Sequence, residues 1–124
     1  MEVRSNGRPL RDGELLSHTE GQEEFNVDWN YKPRKVYSLI MFDTKTQNGI
    51  LTHWLRVNIT PADFDDVLSY IPPNPPDKVH HYYIELYEQQ EEMDFEGFTR
   101  QNSADVIKVL GFKKIYEFMF RVEP

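Results

Sequence analysis

Residues 36–43, VYSLIMFD, carry apolar side chains on both faces of an extended chain. Val36, Ile40 and Phe42 share one face; Tyr37, Leu39, Met41 and Asp43 share the other. A half-exposed strand alternates apolar with polar, so a run that is apolar on both sides belongs in the middle of a sheet covered on two sides. Other segments read as its neighbours. Residues 50–59 place Leu51, His53, Leu55 and Val57 on one face and Trp54 and Arg56 on the other. Residues 79–89 place His80, Tyr82, Ile84 and Leu86 opposite His81, Tyr83, Glu85 and Tyr87. KIYEFMFRV, residues 114–122, predicts a last strand, and Phe25, Val27 and Trp29 alternate with polar residues in an earlier one.

The connecting segments have their own signals. Residues 1–24 are polar with turns at Asn6-Gly7 and Asp12-Gly13, which predicts loops and one or two short strands. TKTQNG, residues 44–49, reads as a loop with its turn at Asn48-Gly49. Thr60 followed by Pro61, with Phe64, Val67 and Leu68 at helical spacing, predicts a short helix or a single turn. IPPNPPDK, residues 71–78, lacks a backbone donor at four of its eight positions and so forms a stiff extended loop. Residues 89–96 form an acidic loop with Phe95 and Phe98 tucked beneath it. Ser103 predicts the cap of a helix over 104–110, with Asp105 in its first turn and Gly111 at its stop.

A chain of 124 residues has the length of one domain, here 1–124. It has no cysteine, which removes disulfides, thiolate metal sites and a cysteine nucleophile. A net charge of −7 disfavours nucleic acid, whose binding depends on Lys and Arg displacing counterions. No basic cluster suits an anionic membrane, no apolar run suits a bilayer span, and no signal segment is evident, so a cytoplasmic location is expected.

Four polar groups stand where inward-facing apolar rows end: Asp43, His53, His80 and Tyr82. If the strands pair, these groups converge at one rim of the sheet. There the imidazoles and the phenol can donate hydrogen bonds to an anion, while Asp43 orients one ring or keeps it charged. The plainer reading, rim residues satisfied by neighbouring backbone, stands beside it. A zinc site is disfavoured because His80 and His81 point to opposite faces and no tight ligand spacing occurs. A serine hydrolase is weaker still, for want of a G-x-S-x-G elbow. The two P-x-x-P spacings of residues 72–76 fit a stiff loop better than an SH3 ligand.

The stretches YSLIMFD, THWLRVNI and YIPPNPPDKVHHYYIELYEQ, together with NGRPL near the start and FRV near the end, resemble the phosphatidylethanolamine-binding proteins, the Raf kinase inhibitor-like family. The resemblance implies a mainly β fold: a large, mostly antiparallel central sheet packed against a smaller sheet, with one or two short helices. It also implies a small anion site built from Asp43, His53, Pro75, His80 and Tyr82; Lys45, Trp54 and Pro76 of this chain are further candidates beside it. Two departures bear on that site. The family's D-P-D-x-P loop reads Asp43-Thr44-Lys45-Thr46, which puts a lysine where the family has an acid, and the arginine of G-x-H-R-Y is His81. The helix that flanks the family pocket has no counterpart before Pro124, so a more open pocket is expected.

These readings converge on a non-enzymatic binding protein without a cofactor. Its expected ligand is a phosphate-bearing small molecule or phospholipid head group, and a protein partner such as a kinase is a further expectation. The alternative is a protein-interaction module whose pocket is vestigial.

Overall fold

The computed structural model describes residues 1–46 and 49–124, with the side chain of Lys45 outside the description. The expected turn at Asn48-Gly49 therefore lies partly outside the described residues.

Among the described residues, nine strands and one helix follow in chain order: β1 Glu2–Ser5, β2 Arg8–Pro9, β3 Leu15–Leu16, β4 Asn26–Asp28, β5 Val36–Thr46, β6 Gly49–Ile59, β7 Asp65–Leu68, β8 His80–Gln89, α1 Ser103–Val109 and β9 Lys113–Val122. The six-stranded sheet runs β3-β9-β8-β5-β6-β7, and a three-stranded sheet runs β2-β1-β4. All pairings are antiparallel except β3 with β9. β5 lies inside the large sheet, between β8 and β6, as its two-sided apolar run requires.

Each face of that run has its own cover. Tyr37, Leu39 and Met41 join Ile84, Leu86 and Phe120 in one core, closed by Val3 of β1, Phe25 and the partly buried Val27 of β4. The smaller sheet thus packs on this face. Ile40 and Phe42 join Leu55, Val57 and Tyr87 in the second core, covered by Ala104 and Ile107 of α1 and by Phe95, Phe98 and Phe112. Burying each such large side chain contributes about 1.5–3 kcal/mol before entropy is counted.

Four local expectations are corrected. Residues 1–24 hold three short strands, because Leu16, wholly buried, needs a partner and finds it along β9. Residues 44–46 continue β5 as strand and are not loop; Thr46 pairs with Gly49, and its hydroxyl donates to the Gly49 carbonyl. No helix forms over 61–68. Thr60 Oγ1 instead accepts the N–H groups of Ala62 and Asp63, and Asp65–Leu68 pairs with β6. A one- or two-turn helix carries an unfavourable nucleus, whereas the free edge of β6 offers ladder bonds at once. The cap of α1 is Asn102, not Ser103, whose hydroxyl donates back to the Thr99 carbonyl at 2.5 Å.

A candidate anion cleft at the sheet rim

Asp43 ends the row Tyr37, Leu39, Met41 and is paired in the ladder with Tyr82 on one side and Leu51 on the other. His80 stands two residues before Tyr82 and therefore shares its face. Its Nδ1 lies 2.6 Å from Asp43 Oδ2, and both residues are buried. A carboxylate only accepts, so Nδ1 carries the proton and Nε2 is the ring's remaining polar atom.

His53 reaches the same face by a different route. Strict alternation groups it with Leu55 and Val57, but the register slips: Met41 pairs with Trp54, while the next residue, Phe42, pairs with Thr52. His53 is the extra residue of a β-bulge. The bulge separates it from Leu55 and Val57, which enter the other core, and turns its ring edge-on to Tyr82, with centroids 5.3 Å apart. The expected strand face of His53 is thus corrected, while its convergence with Asp43, His80 and Tyr82 is observed. His53 Nδ1 donates to the Ile71 carbonyl at 2.9 Å, and the Ile71 N–H donates back to the His53 carbonyl at 2.9 Å. This pair joins the bulge to the start of the proline-rich segment.

Burial pushes the His53 imidazole below its ordinary value; the Ile71 carbonyl and Asp43 pull it up, and the Arg100 charge lowers it further. The ring is therefore neutral at neutral pH, with a proton on Nδ1. Burial, helped by the Asp43 charge, drives the Tyr82 phenol well above its usual range, against a hydrogen bond with the Asn74 backbone. Tyr82 remains an O–H. Its ring stacks on Phe120 at 5.3 Å, which fixes the phenol from behind.

The opposite wall is the proline-rich segment. Ile71, Pro72, Asn74, Pro75, Pro76, Asp77 and Lys78 complete, with Thr46 and Leu51, a cleft of about 600 Å³ around the four polar groups. Rigid prolines suit a wall, since their φ is fixed before any ligand arrives. Pro75 and Pro76 are both among the lining residues. Trp54 is elsewhere: it is buried under the Arg56 guanidinium, 4.9 Å from its ring, and borders a separate cleft with Trp29, Tyr31 and Phe64. Lys45, as a side chain, lies outside the described residues. Sequence reasoning missed the exposed Asp77 and Lys78 at the mouth, although both directly follow the prolines.

Among the described residues, no group of three or more His, Cys, Asp or Glu side chains is placed to hold a metal ion. Nor is any helix among them long and apolar enough to cross a membrane.

A doubly covered β-sheet with a histidine–aspartate pair at its rim, facing a proline wall across a cleft, is the arrangement the described residues present. The chain belongs to the phosphatidylethanolamine-binding protein family, whose model matches residues 6–117. The structure of the Chlamydia trachomatis protein CT736, named "Putative PhosphatidylEthanolamine-Binding Protein (PEBP) Homolog", is 27% identical, covers 74% of this chain and 75% of its own, and gives a TM-score of 0.56. Carboxypeptidase Y inhibitor, solved in complex with its cognate proteinase, gives 0.80 over 98% of this chain and 81% of the matched chain. At 16% identity that likeness shows the fold alone. The Drosophila melanogaster protein named "Putative odorant-binding protein A5" is 26% identical over 98 residues, 70% of this chain. The aligned region spans 47% of that relative's length.

Proposed function

We propose that the protein is a non-enzymatic binding protein that takes a phosphate-bearing group into the rim cleft through His53, His80 and Tyr82, with Asp43 in support and Pro75 as wall. The observation that carries this reading is the buried His80–Asp43 contact. Because Asp43 engages Nδ1, only Nε2 of His80 is left for a ligand, and a proton on Nε2 would donate to an anion while Nδ1–H keeps Asp43 as its acceptor. Tyr82 supplies a second donor in the same cleft. A phosphate monoester monoanion complements the set: its charged oxygens accept from His80 and Tyr82, and its P–OH can donate to neutral His53. The names of the relatives, a phosphatidylethanolamine-binding homolog and an odorant-binding protein, lean toward ligand binding as well.

Calorimetric titration with phosphoethanolamine and with inorganic phosphate tests the reading. Binding to the wild type is expected for both, and His53→Ala combined with His80→Ala is expected to weaken it about a hundredfold, the loss of two hydrogen bonds to a charged group. Preference for phosphoethanolamine would favour a lipid head group over a free phosphate group as the source. Unchanged affinity in the double variant would overturn the reading. If the wild type binds neither compound, the surface is then the functional part, as in a regulatory module acting on a protein such as a kinase.

A further inference from the structure

β6 has a problem at the place where it bulges. β7 covers its outer edge at Leu55, Arg56 and Val57, so the outward backbone of Thr52 has no strand beside it, and that of His53 meets only the Ile71 N–H at 2.9 Å. Unpaired buried backbone groups are costly, and a bulge without support can slide. Arg100, from the turn before α1, occupies the gap. Its own carbonyl accepts the Thr52 N–H at 2.7 Å. Its Nη1 donates to the Thr52 and His53 carbonyls, each at 3.1 Å, and its Nη2 donates to the Ser69 carbonyl at 2.8 Å.

The turn that carries Arg100 is itself fastened. The Thr99 N–H donates to Asn102 Oδ1 at 2.8 Å, the Asn102 N–H donates to Thr99 Oγ1 at 3.2 Å, and Asn102 Nδ2 reaches the Gly97 carbonyl at 3.1 Å. The planar guanidinium therefore starts from a fixed backbone and spans two segments, the bulge and the lead into the proline wall. None of the ion pairs among the described residues uses Arg100.

We propose that Arg100 is a positioning residue for the cleft: it pins the β6 bulge at Thr52 and His53, ties it to Ser69, and so holds the His53 imidazole on the Asp43 side of the sheet. This rests on the reading of the cleft as an anion site. Two contributions are separable. The fork shape sets the geometry, because its separate Nη1 and Nη2 reach carbonyls on two segments, whereas an ammonium carries all three of its donors on one nitrogen. The charge acts through space on His53, which also faces Asp43 from β5 and Tyr82 from β8. His80 belongs to the same cleft, and Asp77 and Lys78 stand at its mouth.

The test uses the full chain, isotopically labelled, as wild type, Arg100→Met and Arg100→Lys. Without ligand, the backbone amide signals of Thr52, His53, Ser69 and Ile71 are expected to move in both variants, while those of Ile84 and Leu86 in the sheet centre stay in place. The His53 pKa is expected to rise toward its ordinary value near 6.5 in Arg100→Met and to stay low in Arg100→Lys. Affinity for inorganic phosphate should fall about tenfold in both, the smaller end of what losing an orienting partner costs a positioned ligand group. An Arg100→Met protein with unmoved Thr52 and His53 signals and unchanged phosphate affinity would overturn the proposal. If Arg100→Met does not fold, Arg100→Lys carries the same amide and affinity tests. A wild type that binds no phosphate, with the ligand-free shifts as expected in the variants, would overturn the anion reading and leave the positioning role standing.

Discussion

Asp43 and His80 lie on adjacent strands, offset by two residues across the β5–β8 ladder, and their side chains meet at 2.6 Å in a buried contact. Direct pairing gives Asp43 to Tyr82, so the contact with His80 is diagonal and depends on the register of the two strands. A register slip by one residue would carry His80 to the other face.

Removing the carboxylate should therefore be felt twice. Asp43→Ala is predicted to destabilise the protein by about 1.5–3 kcal/mol, the range for a buried hydrogen bond to a charged group, and to leave His80 Nδ1 without its acceptor. Urea unfolding followed by tryptophan fluorescence measures the first effect, and phosphate titration measures loss of affinity. A variant as stable as the wild type would mean that the pair is an incidental neighbour contact.

The burial of His53 sets a pH dependence of stability. Its folded pKa lies below the unfolded value near 6.5, so between the two values the unfolded chain binds more protons. Stability is thus fully present above pH 6.5 and is lost as pH falls from there toward the folded pKa. Urea midpoints at pH 7.5, 6.5 and 5.5 should decline for the wild type and decline less for His53→Gln. Parallel declines would show that His53 is not a source of the slope.

Much of this arrangement is legible in the sequence, and the part that is not has a physical cause. The two-sided run of residues 36–43 places β5 inside a sheet because no other site covers both faces, and the alternation of His80, Tyr82, Ile84 and Leu86 holds because β8 stays regular past these residues. His53 breaks the rule. Its face depends on one inserted residue, and a bulge leaves no mark in a pattern of period two. Phe64, Val67 and Leu68 mislead in a related way, since helical spacing over five residues is also compatible with a short edge strand, and the exposed edge of β6 decides it. Arg100 is invisible for a third reason: its partners are backbone carbonyls, which every residue has.

Far from the cleft, Gln89 should prove to be a structural keystone. Its Oε1 accepts from Ser38 Oγ at 2.5 Å and from the Asn58 N–H at 2.9 Å, and its Nε2 donates to Asn58 Oδ1 and to the Glu91 carbonyl. Asn58, at φ 52°, in turn accepts the Met93 N–H and donates to the Met93 carbonyl. Gln89→Leu leaves the Ser38 hydroxyl and the Asn58 N–H without their acceptor and is predicted to cost about 2–6 kcal/mol, at about 1–3 for each buried unsatisfied group. Hydrogen exchange at Met93 should accelerate; unchanged protection there would mean that the loop does not depend on the network.

The proline wall leans on the core at Gly21. Its φ of +77° disfavours a side chain, and a Cβ there would come 3.0 Å from Phe25 Cζ and 3.4 Å from Pro73 Cγ. Gly21 also accepts the Tyr70 hydroxyl at 2.5 Å. Gly21→Ala is predicted to destabilise by about 1–3 kcal/mol, from overpacking added to backbone strain. Amide shifts extending to residues 71–74 would show the wall moving with it, and a variant of wild-type stability would contradict the contact.

The most direct test of the account is an NMR titration with phosphoethanolamine near pH 6.5 that follows the ring signals of His53 and His80 and the backbone amides of Asp43 and Tyr82. Saturable shifts confined to the rim cleft are expected. Ring and amide signals that stay in place at millimolar ligand would contradict the account.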